Sequence, residues 1–194
     1  MIQLNTVITF YMLIVYAIFL CSFDKKVLNL SHLMLGLLLL FGIMFGFISY
    51  ILVTFLNSIE SFLMDTRNEI HAILVAPVQE EVAKFFSFLL AYKIIIKYYS
   101  SNQKFSEIRK SKGVFTLGAF VGLSVAVLEN IIDYGNITPI MTFLRAISSW
   151  PIHILTAGLS AYGFNKFQGL KKFIFLGLAI LIHMVSNMIR LYLF

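Results

Sequence analysis

The stretch IHAILVAPVQEEVAKFFSFLLAYKIIIKYY, residues 70–99, is greasy enough to cross a membrane, yet it carries Glu80 and Glu81 side by side. A charged side chain at the centre of a bilayer-spanning helix costs about 2.5–3.5 kcal/mol on insertion scales, so intramembrane carboxylates are rare and usually functional. Lys84 follows one turn later, at helical spacing from both acids, and reaches either along one face. Pro77 removes a backbone donor and leaves the Ile73 carbonyl without its helical partner, which loosens the helix just ahead of the pair. Such a defect at membrane depth is tolerated only beside protein or a wet cavity. The stretch therefore reads as a membrane helix bordering a polar site.

Working outward, composition sets the class. The chain is 60% hydrophobic and 12% charged, with mean hydropathy +0.91, against an apolar share of roughly 45–50% in a soluble domain. Apolar runs of about 20 residues, each able to cross a hydrocarbon core of about 30 Å, consume nearly the whole chain. The expectation is one all-α membrane-embedded domain over residues 1–194, a polytopic transmembrane helix bundle of about six spans. The spans read as 3–23, 30–56, 70–98, 113–134, 148–165 and 173–193. The core that bears the polar residues covers about 70–193, with the first two spans peripheral. The segments 57–69 and 137–148 have interfacial character, and 137–148 reads equally as the start of the fifth span. Gly42 with Gly46, Gly118 with Gly122, and the small residues from Thr156 to Gly163 let helix backbones approach closely. Cys21 is the only cysteine, which rules out an internal disulfide and a cysteine metal cage. The first segment lacks a positive n-region and a small-residue cleavage site, so it is expected to be retained as a span.

The net charge of +6 is concentrated in alternate loops. Lys25 and Lys26 follow the first span; Lys97, Lys104, Arg109, Lys110 and Lys112 face the single acid Glu107 after the third; Lys166, Lys171 and Lys172 precede the sixth. The other loops carry Glu60, Asp65, Arg67 and Glu69, then Asp133 and Arg145, with no excess of base. Lys/Arg excess marks cytoplasmic loops, so both termini are expected outside. The basic loops thus act as topology determinants with weak attraction to anionic lipid. They leave no case for nucleic acid.

The other polar residues at membrane depth are Glu129, Asn130, His153, His183 and Asn187, on other hydrophobic segments. Trp150-Pro151 repeats the helix defect just before His153, and His183, Asn187 and Arg190 share one stripe. At 1.5 Å per residue, Glu80 lies about 15 Å below the outer end of its helix and His183 about 16 Å above the inner end of its own. Glu129, His153 and Asn187 fall in the outer half. A cavity open to the extracytoplasmic side, with its floor near mid-membrane, holds them all.

That set suits hydrolysis. Two carboxylates in a low-dielectric pocket cannot both ionise cheaply. An ionised Glu deprotonates water, a His or protonated Glu donates to a leaving amine, and the amide of Asn187 can stabilise an oxyanion. No nucleophilic route competes: there is no G-x-S-x-G, and Cys21 lies far from any His in a lipid-facing run. The candidate catalytic residues are Glu80, Glu81, Lys84, Glu129, His153, His183 and Asn187, with no cofactor. Zinc at Glu80, His153 and His183 is the alternative, since catalytic zinc takes three nitrogen or oxygen ligands and a water. Against it stand the lack of H-E-x-x-H, the separation of both histidines from the Glu pair, and Lys84, a positive charge beside a dication.

These residues carry a resemblance. PVQEEVAK (77–84) is similar to the EExxK block of the PrsW-type intramembrane proteases, and GLSVAVLEN (122–130) resembles their second block, a glycine-rich helix ending in Glu-Asn. PIH (151–153) with its small-residue run resembles the third block, and HMVSN (183–187) the fourth. The blocks fall in order over about 75–190. The chain departs at Val125, where the family's second block has Phe, a packing position and not an acid. The family is similar to the CAAX prenyl protease and bacteriocin-processing superfamily, whose first motif ends in Arg. The resemblance implies a multi-pass bacterial membrane protease that cuts membrane proteins, such as single-pass anti-sigma factors, on the extracytoplasmic side. An ion-coupled transporter and a non-catalytic scaffold are the competing readings; the first lacks an inverted repeat, and retention of both Glu80 and Glu81 weighs against the second.

Overall fold

The run of small and apolar side chains from Gly113 to Val127 is almost wholly buried, because other helices enclose it on every side. It forms the middle of α4 (Ser111–Ile132) in a computed structural model that describes residues 2–28, 32–63, 71–99, 111–133 and 137–193. Five further helices pack around it: α1 (Ile2–Leu28), α2 (His32–Leu63), α3 (Ala76–Tyr99), α5 (Pro139–Ser148) and α6 (Trp150–Lys166). The last, α7 (Ile174–Leu193), packs on α6 and α3. No strand occurs among the described residues.

The fold is a polytopic membrane bundle with six long helices among the described residues. Stretches of α1, α2 and α4, and the stretch from Gly169 through α7, are long and apolar enough to cross a bilayer. The other two long helices are α3 and α6. The charges of Glu80, Glu81 and Lys84 dilute the hydropathy of α3, and α6 has only 17 residues, or about 25 Å of helix. The segment 137–148, left open between two readings, is a separate helix: Thr138 caps α5 by accepting from Met141 N, Pro139 opens it, and the chain turns at Ser149 before Pro151 enters α6. The interfacial segment expected at 57–69 is different, since residues 57–63 continue α2. Asp65, Arg67, Glu69, Lys104, Glu107, Arg109 and Lys110 lie outside the described residues, as do the side chains of Lys25, Lys26, Glu60 and Lys112. Lys97, Lys166 and Lys171 are exposed at the end of the bundle where α3 and α6 finish and α7 begins.

Small residues set how closely the helices approach, which matters where lipid supplies no hydrophobic drive between them. A Cβ on Gly46 would fall on that of Ser124, and one on Gly122 would fall on the carbonyl oxygen of His153. α2 and α6 therefore lie backbone-close to opposite faces of α4. An aromatic cluster joins α3 to α6 lower down, with Phe85 edge-on to Phe164 at 5.7 Å and Tyr92 donating to Asn165 Oδ1 at 2.9 Å. α1 holds α5 in place: Asn5 Nδ2 donates to Ile137 O (2.6 Å), Tyr16 OH donates to Ala146 O (3.1 Å), and Tyr16 packs on Trp150. Cys21, expected to face lipid, is half-buried against the core.

Candidate active site

α3 is entered through a π-helical turn at His71–Val75, directly before Pro77. A proline there lacks the N–H that would close the preceding turn, and the widened turn absorbs the loss. The following turns place Glu81 and Lys84 inward, where both are fully buried and ion-paired. Glu81 Oε1 is the best-satisfied atom of the site. It accepts from Lys84 Nζ, from Thr156 Oγ1 on α6 at 2.9 Å, and from His183 Nδ1 on α7 at 2.8 Å. A buried carboxylate needs this many donors to offset its lost hydration.

Glu80, one residue earlier, points to the other side of that lock. Its Oε2 lies 3.6 Å from His183 Nε2 and 3.9 Å from His153 Nδ1, and has no hydrogen-bond partner although it is buried. The two imidazoles meet edge to face with centroids 5.0 Å apart. The far edge of His153 turns to α4 and to its own helix start, with Nε2 3.4 Å from Glu129 Oε2 and 3.1 Å from Ser149 Oγ. Lys84 Nζ lies 3.1 Å from His153 Nδ1. Glu129 has Arg145 of α5 at 3.9 Å, and Arg145 Nε donates to Asn130 Oδ1 at 3.3 Å.

Six of the seven candidate residues therefore converge from α3, α4, α6 and α7: Glu80, Glu81, Lys84, Glu129, His153 and His183. Asn187 is placed differently. Its Nδ2 donates to Ala72 O at 2.9 Å and its Oδ1 accepts from Arg190, so it ties α7 to the π turn. Thr156 and Ser149 contact the site and were not among the candidates. Thr156 sits in a run of small residues that reads as packing, and Ser149 precedes Trp150-Pro151, where a serine reads as a helix cap. The one legible signal was spacing, because Thr156 lies one turn after His153.

The donor set also fits a metal. His183 Nδ1 lies 2.8 Å from Glu81 Oε1, and a neutral ring with its proton on Nδ1 offers the lone pair of Nε2 to a metal. His183 Nε2 faces the partnerless Glu80 Oε2 at 3.6 Å, and His153 completes a group whose ligand atoms lie within 4.8 Å of one another. Two of the three reasons against zinc lose their force here. The fold joins residues that the sequence separates, and the charge of Lys84 is neutralised by Glu81.

No curated protein matches the chain, and no solved structure does. A family model described as PrsW family intramembrane metalloprotease matches residues 31–193, from the start of α2 through α7. With the carboxylates and histidines gathered inside a membrane bundle and most of its length matched, the chain belongs to the PrsW family of intramembrane metalloproteases.

Proposed function

We propose that the site hydrolyses a peptide bond of a membrane-protein substrate, with zinc held by Glu80, His153 and His183. The observation that carries this reading is the partnerless Glu80 Oε2 facing His183 Nε2 at 3.6 Å with His153 beside them. Three nitrogen or oxygen ligands with an open position suit catalytic zinc, which when bound acidifies water and polarises a carbonyl. The chain's own groups do the rest. Glu129, partly exposed and 3.4 Å from His153, takes the proton from the attacking water and returns it to the leaving amine. Glu81 orients His183 through its Nδ1, and Lys84 with Thr156 holds Glu81. Asn187 steadies the turn that leads into α3 instead of donating to an oxyanion.

A glutamate-only mechanism is the second reading, favoured by one contact. Lys84 Nζ at 3.1 Å from His153 Nδ1 competes with any dication for that nitrogen. Glu80 itself then deprotonates the water. Under either mechanism we infer a bacterial multi-pass enzyme with both termini extracytoplasmic, cutting near that side. A single-pass protein such as an anti-sigma factor is the substrate class. The site lies toward the end of the bundle opposite the exposed Lys97, Lys166 and Lys171, and basic residues favour the cytoplasm.

The test has two arms. Native membranes carrying Glu80→Gln should accumulate a crosslinkable substrate that wild-type membranes cleave. Near-wild-type cleavage by Glu80→Gln would remove both mechanisms. Detergent-purified protein stripped with chelator should lose activity together with its metal and regain it with zinc. Full activity in metal-free protein, checked by elemental analysis, would leave the glutamate-only mechanism standing.

A further inference from the structure

Arg190 lies in the last turn of α7, within reach of the membrane surface, where an arginine side chain can extend along lipid and hydrate its head group. It does not. Its guanidinium turns inward, with Nη1 donating to Ser149 Oγ on the α5–α6 turn at 3.0 Å and Nη2 donating to Asn187 Oδ1. Nε lies 3.4 Å from Ser186 O on its own helix. Each of the two main contacts leads to the site. Ser149 Oγ is 3.1 Å from His153 Nε2, and Asn187 Nδ2 holds Ala72 O in the turn that precedes Glu80.

We propose that Arg190 is a positioning residue for hydrolysis, setting the ring of His153 through Ser149 and the start of α3 through Asn187. An arginine can only donate, so one lone pair of Ser149 is committed to it. Ser149 keeps one proton and one lone pair, and His153 Nε2 is the ring atom beside them. The rigid fork of a guanidinium fixes the separation of the two acceptors, which a lysine, a point charge on a flexible stem, cannot do. The same fork also fixes the amide of Asn187: with Oδ1 held by Arg190, Nδ2 is the end presented to Ala72. One side chain thus couples the loop before α6, the middle of α7 and the entry to α3, the three elements that bear His153, His183 and Glu80. Partners that orient active-site histidines contribute about 10–100-fold in affinity or rate when removed.

This role rests on the hydrolase reading, and its primary test does not need turnover. Protein labelled with 15N-histidine is measured in detergent, and the His153 ring nitrogens are assigned by their loss in His153→Gln. Arg190→Lys and Ser149→Ala should each move the His153 resonances and leave those of His32, at the start of α2, in place, while Ser149→Thr, which keeps the hydroxyl, should not move them. With fluorescein-labelled casein, Arg190→Lys and Ser149→Ala should each lower kcat about 10–100-fold with KM nearly unchanged. The double variant should be no slower than the slower single, since both act on one ring. His153 resonances unmoved by the Arg190 variant or by Ser149→Ala, or losses that multiply in the double variant, would overturn the proposal. Arg190→Gln stands in if Arg190→Lys does not fold, and should move the same His153 resonances. Failure of the hydrolase reading is seen separately, as a wild-type protein that cuts neither casein nor membrane proteins.

Discussion

A single methyl group on Gly122 tests whether the closeness of α4 and α6 sets the chemistry. In Gly122→Ala the new Cβ falls on the carbonyl oxygen of His153, and the Cβ of Ala157 lies alongside. The obstacle is backbone, so no rotamer change relieves it, and α6 must move away from α4. A displacement of catalytic groups by about 1 Å costs about 10²-fold in rate, and α6 carries both His153 and Thr156. His153 lies 3.4 Å from Glu129 on α4 and 3.9 Å from Glu80 on α3, distances that widen together if α6 swings out. Turnover of a membrane-protein substrate in proteoliposomes should therefore fall about 10²-fold in Gly122→Ala. The protein should still insert and run as a single species in detergent. Gly177→Ala is the control, since a Cβ there meets nothing within 4 Å on the helix that carries His183. Gly122→Ala with the activity of Gly177→Ala would refute the claim that this contact sets the site geometry.

Other perturbations follow from the same contacts. Thr156→Val keeps the shape and removes one of the three donors to Glu81 Oε1; a hydrogen bond to a charged group is worth about 1.5–3 kcal/mol, and unfolding in detergent should show that loss. No measurable destabilisation would mean Thr156 does not serve Glu81. Lys84→Met strands a fully buried carboxylate and should cost about 3–5 kcal/mol by the same assay. A variant as stable as wild type would show that Glu81 does not need the ammonium. For topology, cysteines at Lys110 and Lys171 in a Cys21→Ser background should resist an impermeant thiol reagent in intact cells, while one at Asp65 reacts. Labelling of Lys110 from outside would place the site toward the cytoplasm.

How much of this was legible in the sequence differs by element. Helix class and membrane residence are local properties, because length, hydropathy and the cost of an unpaired backbone group in lipid allow little besides a helix over such runs. The same cost is why Glu80, Glu81, Glu129, His153 and His183 stand out in the sequence as polar residues at membrane depth. Gly42, Gly46, Gly118 and Gly122 carried the packing signal, and each sits where a Cβ would strike a neighbouring helix. The break between α5 and α6 was ambiguous because Pro151 is as compatible with a helix start as with a kink.

What the sequence could not determine is which atom meets which. Asn187 shares a stripe with His183, yet its amide holds Ala72, because Arg190 occupies its carbonyl end. Thr156 and Ser149 look like packing and capping residues, and become partners of Glu81 and His153 only when helices distant in the chain are brought together. Lys84 stands as a bare positive charge in the sequence, whereas in the fold Glu81, which shares its burial, balances it. Sequence alone determined a membrane helix bundle and its rare polar residues, since burial in lipid penalises each residue individually. The division of Glu81 as an anchored carboxylate from Glu80 as the open one was decided by tertiary structure, since hydrogen-bond satisfaction depends on donors from α3, α6 and α7 meeting at a single oxygen.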